Sequence, residues 1–131
     1  MGQVLIIDDE DSYLVLVRDH IRTRFPGLTV RTCNDPVHCL SSITNDLDLL
    51  LIDMEMPGLD GSKVLAYAVS KGIDRKRIII FSGRDADYLH KRFPMGSCLG
   101  VLNKFEAKQQ EVLDMIFAAL QERGSTASGS C

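Results

Sequence analysis

Five short apolar runs recur along the chain, Val4 to Ile7, Leu28 to Val30, Leu49 to Ile52, Ile78 to Phe81 and Leu99 to Leu102, with a longer amphipathic stretch after each. Short runs rich in β-branched or bulky residues and bounded by turn residues read as strands. The stretches between them, near Ser12 to Phe25, Pro36 to Asn45, Ser62 to Lys71, Ala86 to Phe93 and Ala107 to Arg123, read as helices. Pro26-Gly27, Gly72 and Gly124 stand as stop signals. Strict alternation of strand and helix implies right-handed crossovers. The fold class is therefore α/β, a doubly wound five-stranded parallel sheet flanked by five helices.

In an open parallel sheet all strand carboxyl ends lie on one edge, and residues far apart in sequence meet there. Asp8, Asp9, Asp53, Ser82 and Lys104 each stand at or just past the end of an apolar run. They define one pocket with three carboxylates, a hydroxyl and an ammonium. Two unit charges about 4 Å apart repel by about 4 kcal/mol at an effective dielectric of about 20, so the carboxylates need positive company. Lys104 supplies one charge, and a hard divalent cation, most simply Mg²⁺, would supply the rest through oxygen ligands. Cation, ammonium and hydroxyl around one carboxylate suit a phosphoryl group, whose equatorial oxygens need several positive or donor partners. Asp53 is the candidate to carry it covalently, because a carboxylate can act as nucleophile in an aspartyl-phosphate mechanism.

Around Asp53 the chain reads Asp53-Met54-Glu55-Met56-Pro57-Gly58-Leu59-Asp60-Gly61. Proline and glycines enforce a turn that keeps Asp53 at the strand tip. The plainer alternative is a capping loop in which Asp60 and Ser62 serve only the next helix. Taken singly, other members of the set also have plain alternatives. Asp8-Asp9-Glu10-Asp11 suits a helix first turn, Ser82-Gly83 suits an ordinary turn, and Lys104 suits a solvated strand end. Coincidence of all five at the ends of alternating strands is what carries the functional assignment.

A chain of 131 residues, 45% of them hydrophobic, fills one core and leaves no room for a second domain. The expected organisation is one domain over 1–123 and a small, polar, flexible tail or linker start over 124–131. A net charge of −3 gives no pull toward nucleic acid. The longest uninterrupted apolar run, Leu49 to Ile52, is far too short to span a bilayer. The amino terminus opens directly on a strand-like run, so no signal peptide is expected. Cys33, Cys39, Cys98 and Cys131 show neither Cys-x-x-Cys spacing nor a nearby His pattern. Reduced thiols are expected rather than disulfides or zinc, and with them a cytoplasmic location.

Taken in order and spacing, these five residues resemble the signature of response-regulator receiver domains, the phospho-accepting modules of two-component signalling. The resemblance spans essentially residues 3 to 123 and implies a chemotaxis-receiver-like, flavodoxin-like fold. By that resemblance Asp8 and Asp9 match the acidic pair, Asp53 the phosphorylated aspartate, Ser82 the switch hydroxyl and Lys104 the lysine of the family. It implies that Asp9, Asp53 and the Glu55 backbone carbonyl ligate Mg²⁺, with Asp8 holding the ion's water shell. Lys104 and Ser82 would then bind phosphoryl oxygens. The implied donor is a histidine kinase, a phosphotransfer protein or a small acyl or amido phosphate. The implied activity is limited to the domain's own phosphorylation and dephosphorylation, and the responding surface is the fourth helix, fifth strand and fifth helix. A fused output domain or a homodimer would complete the partners, with no direct nucleic-acid or membrane contact by this domain.

Two positions depart from the family pattern. Val101 stands three before Lys104, where an aromatic usually swings inward with the switch hydroxyl, and valine is stiff and too short for that motion. Phe105 replaces the proline that usually follows the lysine in a cis peptide. A non-proline cis bond costs about 2.5 to 4 kcal/mol, so Lys104-Phe105 is expected to be trans or strained. Lysine followed by a non-proline residue resembles LuxR/NarL-type transcription regulators and favours a helix-turn-helix output.

Glu55 and Arg84 are expected at the pocket rim, where they could pair or simply stand solvated, the latter favoured. Phe93, Met95, Leu99 and Val101 could form an apolar patch, although packing explains most of them. His20, His38 and His90 are expected on the surface. Three rivals stand beside the receiver assignment: an aspartyl-phosphate phosphatase or phosphotransferase, a flavodoxin-like nucleotide module, and a pseudo-receiver that no longer takes phosphate. The first lacks room for a cap domain, the second would place four acids where a phosphate must sit, and the complete five-residue set argues against the third.

Overall fold

The computed structural model describes residues 2–129 except 57, 84, 85, 94, 95, 97, 105 and 106. Strands β1 (Gly2–Ile7), β2 (Leu28–Cys33), β3 (Leu49–Asp53), β6 (Ile78–Ser82) and β7 (Gly100–Asn103) form the central sheet. A short hairpin, β4 (Glu55–Met56) and β5 (Leu59–Asp60), follows β3. The helices are α1 (Asp11–Arg24), α2 (Pro36–Ser42), α3 (Gly61–Ser70), α4 (Ala86–Arg92) and α5 (Ala107–Gly129), with one 3₁₀ turn at Arg75–Arg77. All pairings in the central sheet are parallel and run in the order β2-β1-β3-β6-β7. This is the expected doubly wound α/β sheet. Its order reverses between β1 and β3, which opens a crevice at their carboxyl ends.

The runs of β1, β3 and β6 are apolar throughout because both faces of the sheet are covered there, whereas the edge strand β2 exposes Thr29 and Arg31. Alternation then divides each of these three runs between two cores. Leu5, Ile7, Leu50, Ile52, Ile78 and Ile80 pack with Cys39 of α2, Val64, Leu65 and Ala68 of α3, and Leu89 of α4. Val4, Ile6, Leu49, Leu51, Ile79 and Phe81 pack with Tyr13, Leu14, Val17 and Ile21 of α1 and with Leu113 and Phe117 of α5. At about 1.5 to 3 kcal/mol for each fully buried aliphatic or aromatic side chain, these two layers fix the register and hence the position of every strand tip.

Several expectations change. The β4–β5 hairpin was not anticipated; it forms because Gly58, at φ 77°, takes the left-handed conformation that lets the chain reverse at once. Helix α5 runs through the expected stop at Gly124 to Gly129. Cys33 and Cys39 are joined as a disulfide, not left as separate thiols. Strand β2 continues to Cys33 and α2 folds back over its end, bringing the two Cα atoms to 5.7 Å. Cys98 is a free thiol, and Cys131 lies outside the described residues. His20 is half-buried, its Nε2 lying 2.7 Å from Asp114 Oδ1 to link α1 with α5. Of the suggested patch, Phe93 is in the core, Val101 packs against it, Leu99 is exposed and Met95 lies outside the described residues. Among the described residues no helix is long and apolar enough to cross a membrane.

Candidate functional site

The carboxyl edge gathers the five residues as their positions require. Asp53 ends β3 and Ser82 ends β6, while Asp8 and Lys104 immediately follow β1 and β7. Backbone bonds lock these tips together. Asp8 N–H donates to Cys33 O at 3.1 Å, Met54 N–H to Phe81 O at 2.8 Å, and Lys104 N–H to Ser82 O at 3.0 Å. Asp8, Asp53 and Ser82 are the buried polar residues of the described chain. Burying polar groups is costly unless they are paired, and here each has a partner.

Lys104 reaches into the middle of the pocket with a side chain only 6% exposed. Its Nζ donates to Asp8 Oδ2 at 2.5 Å and lies 3.4 Å from Asp53 Oδ1. Asp8, Asp9 and Asp53 each offer a carboxylate oxygen within 4.8 Å of the others, with Asp9 exposed at the mouth. Burial drives the Asp53 carboxyl up to about 7, the Asp8 charge pushes the same way, and Lys104 and the Glu55 amide oppose it. Burial alone would lower the Lys104 pKa; its hydrogen bond to Asp8 and the charges of Asp53 and Asp8 outweigh that and hold it above the ordinary lysine value.

The turn after Asp53 is set by contact as much as by conformation. Gly61 N–H donates to Met54 O at 2.9 Å, and a Cβ on Gly61 would lie 2.6 Å from Met54 Cα and 3.0 Å from Asp53 O. Only glycine allows this approach. Asp60 caps α3 by accepting from Ser62 N–H at 2.8 Å and pairs with Arg92 of α4. The capping function of this loop and its placement of Asp53 therefore coexist.

Two contacts went unforeseen. Ser82 Oγ donates to Glu55 Oε1 at 2.9 Å, so the partner found for Glu55 is the buried serine. Arg84, its expected partner, and the Lys104-Phe105 peptide lie outside the described residues. Tyr13, on the first inward turn of α1, places its ring centroid 4.6 Å from Lys104 Nζ. Nothing in the amphipathic pattern of α1 pointed to this contact with the lysine.

A parallel sheet with a carboxylate-lined crevice at its switch point, a lysine across it and a buried hydroxyl on the adjoining strand defines an α/β module with an acidic pocket. The chain belongs to the response regulator receiver domain family, whose pattern it matches over residues 4–117. It is 29% identical over 134 residues to the response regulator MprA of Mycobacterium ulcerans, an alignment covering 87% of this chain and 56% of that protein. With MprA of Mycobacterium avium it shares 31% over 113 residues, 74% of this chain and 47% of the relative. The chain thus spans about half the length of these relatives.

Solved structures agree on the fold. TrrA of Thermotoga maritima, determined in complex with Mg²⁺ and BeF, superposes with a TM-score of 0.73 at 19% identity, covering 92% of this chain and 99% of that one. The CheY-like receiver from Methanospirillum hungatei gives 0.71 at 22% identity, covering 94% and 98%. The NarL receiver domain of Mycobacterium tuberculosis gives 0.73 at 21% identity, covering 92% and 96%.

Proposed function

We propose that this domain accepts a phosphoryl group on Asp53 from a histidine kinase, a phosphotransfer protein or a small phosphodonor, and that the modification biases the Ser82 edge of the sheet. The single observation that supports this most is the position of Asp53, buried at the β3 tip, 3.4 Å from the Lys104 ammonium and within 4.8 Å of two further carboxylates. The donor set fits Mg²⁺, a hard cation that takes oxygen ligands. Asp9, Asp53 and the Glu55 carbonyl would hold it directly, and Asp8 would orient its water shell. When bound, the ion neutralises negative charge on the incoming phosphoryl oxygens.

The chain's own groups supply the rest. An Asp53 carboxylate oxygen attacks phosphorus, an O–P bond forms, and the donor's bond to phosphorus breaks with its electron pair leaving on the donor. Because burial pushes Asp53 up to about 7, a cation in the pocket favours the ionised, nucleophilic form. Lys104, close to both buried carboxylates, can turn to a phosphoryl oxygen without crossing solvent. Ser82 must exchange Glu55 Oε1 for a phosphoryl oxygen. Glu55 thereby acts as a latch on the switch hydroxyl in the unmodified state, since a doubly charged phosphoryl group competes for the same proton and repels the Glu55 carboxylate.

Val101 is half-buried against the α2–α3–α4 side of the sheet and has no aromatic ring to swing. The switch would then travel through strand-tip displacement of Ser82 and the β6–α4 connection. Incubation with Mg²⁺ and acetyl phosphate followed by intact-mass spectrometry tests the assignment. One added phosphoryl group, absent from Asp53→Asn and absent without Mg²⁺, is expected. No adduct where a control receiver is labelled would leave a pseudo-receiver, and a beryllofluoride titration would separate that from an adduct too short-lived to trap.

A further inference from the structure

Lys104 is a flexible four-carbon side chain ending in a compact charge, yet a phosphoryl-binding ammonium must be held in place before the phosphoryl group arrives. Two contacts on one side come from Asp8 and Asp53. The third wall is aromatic. Lys104 Nζ lies 4.6 Å from the Tyr13 ring centroid, well inside the roughly 6 Å reach of a cation–π contact. Both side chains are largely removed from water, Lys104 at 6% and Tyr13 at 9% exposure. Such contacts strengthen with desolvation.

The Tyr13 ring is itself fixed. It stands nearly perpendicular to Phe81, with centroids 6.0 Å apart and planes at 79°, a favourable edge-to-face arrangement. Phe81 is 2% exposed and immediately precedes Ser82. An aliphatic side chain at position 13 would remain apolar and core-facing without offering the ammonium a π face.

We propose that Tyr13 is a positioning residue for Lys104: its ring, braced on Phe81, confines the ammonium to the inner wall of the pocket between Asp8 and the phosphoryl site on Asp53. The catalytic consequence rests on the reading of Asp53 as the phosphoryl acceptor; the geometric part does not. Tyr13 also joins the lysine to the strand that carries Ser82, on the α1–α5 side of the sheet and away from Val101.

The test uses the full chain with Tyr13→Phe, Tyr13→Leu and Tyr13→Met, each checked for folding by circular dichroism and thermal melting. Without any phosphodonor, the ε-proton shifts of ¹³C-labelled lysines are recorded, with Lys104 assigned through Lys104→Arg. An aromatic ring-current shift on Lys104 is expected in the wild type, retained in Tyr13→Phe and lost in whichever aliphatic variant folds. The acetyl phosphate labelling rate with Mg²⁺ is expected to fall roughly tenfold in the aliphatic variants, the scale of a desolvated cation–π contact, and to be rescued by Tyr13→Phe.

An unshifted Lys104 signal in the wild type, or wild-type labelling by a folded aliphatic variant, would overturn the proposal. A structural role alone would lower the melting temperature in the aliphatic variants while leaving the labelling rate in place. Failure of the wild type both to label and to bind beryllofluoride would instead refute the acceptor assignment, with the lysine shift still deciding whether Tyr13 holds Lys104.

Discussion

Replacing Asp53 by Asn should make the Mg²⁺-free domain more stable at pH 8, although it removes the proposed phosphoryl acceptor. Carboxylate oxygens of Asp8 and Asp53 lie within 4.8 Å, which at an effective dielectric of about 20 is a repulsion of about 3 kcal/mol. Lys104 at 3.4 Å from Asp53 offsets this by about 5 kcal/mol on the same scale. Burial nevertheless prevails, because the Asp53 carboxyl rises from 3.8 to about 7. At about 1.4 kcal/mol per pH unit, carrying that charge at pH 8 costs the folded state on the order of 4 kcal/mol relative to the unfolded chain.

Asparagine keeps the shape and the acceptor for Glu55 N–H while dropping the charge. A gain of about 2 to 4 kcal/mol is expected, or a rise in melting temperature of roughly 6 to 12 °C for a chain of this size. The sign of the pH dependence follows from the raised folded-state value. The wild type holds its full share of stability below pH 3.8 and loses it as pH climbs through about 7. The advantage of Asn should therefore shrink to less than half at pH 5. Mg²⁺ at a hundredfold excess over its Kd should stabilise the wild type at pH 8 by about 2.7 kcal/mol and the variant far less. Calorimetry at both pH values, with and without Mg²⁺, is the assay. A destabilised variant at pH 8, or an equal gain at both pH values, would refute the electrostatic account.

Glu55→Ala should free the Ser82 hydroxyl from its 2.9 Å bond and raise beryllofluoride affinity by about fivefold, the worth of one ordinary hydrogen bond of about 1 kcal/mol, as read by titration. Lys104→Met leaves buried Asp8 and Asp53 without their cation and should cost about 3 to 5 kcal/mol in urea denaturation, part of it restored by Mg²⁺. Gly61→Ala should cost about 2 kcal/mol through overpacking and slow labelling of Asp53, because its Cβ would meet Met54 Cα at 2.6 Å; normal stability and labelling would show that the hairpin can yield. Reducing the Cys33–Cys39 disulfide, which closes a short loop, should lower stability by about 2 kcal/mol and have no effect on a Cys33→Ser, Cys39→Ser double variant.

Strands β1, β3 and β6 were legible because burial on both faces leaves its mark on consecutive residues, while the edge strands β2 and β7 showed shorter runs of bulky residues. Residues at the ends of those runs were legible for the same reason: Asp53 and Ser82 close β3 and β6, and Asp8 and Lys104 follow β1 and β7. The β4–β5 hairpin was hidden, since two-residue strands have no periodicity to detect. The continuation of β2 to Cys33 was hidden too, because Arg31 is exposed and Thr32 and Cys33 are only half-buried, so they add nothing to an apolar run. That extension is what brought Cys33 to Cys39.

By itself, then, the sequence determined the alternating fold and which chemical groups share the carboxyl edge, since strand ends of a parallel sheet must lie together whatever the side chains do. Tertiary structure alone decided who touches whom there: Glu55 on Ser82, Lys104 nearer Asp8 than Asp53, the Tyr13 ring beside the ammonium, His20 on Asp114. Such contacts depend on differences of an ångström or two between side chains of distant elements. Those differences are fixed by how the two cores pack, a property of all the residues together that no local pattern contains.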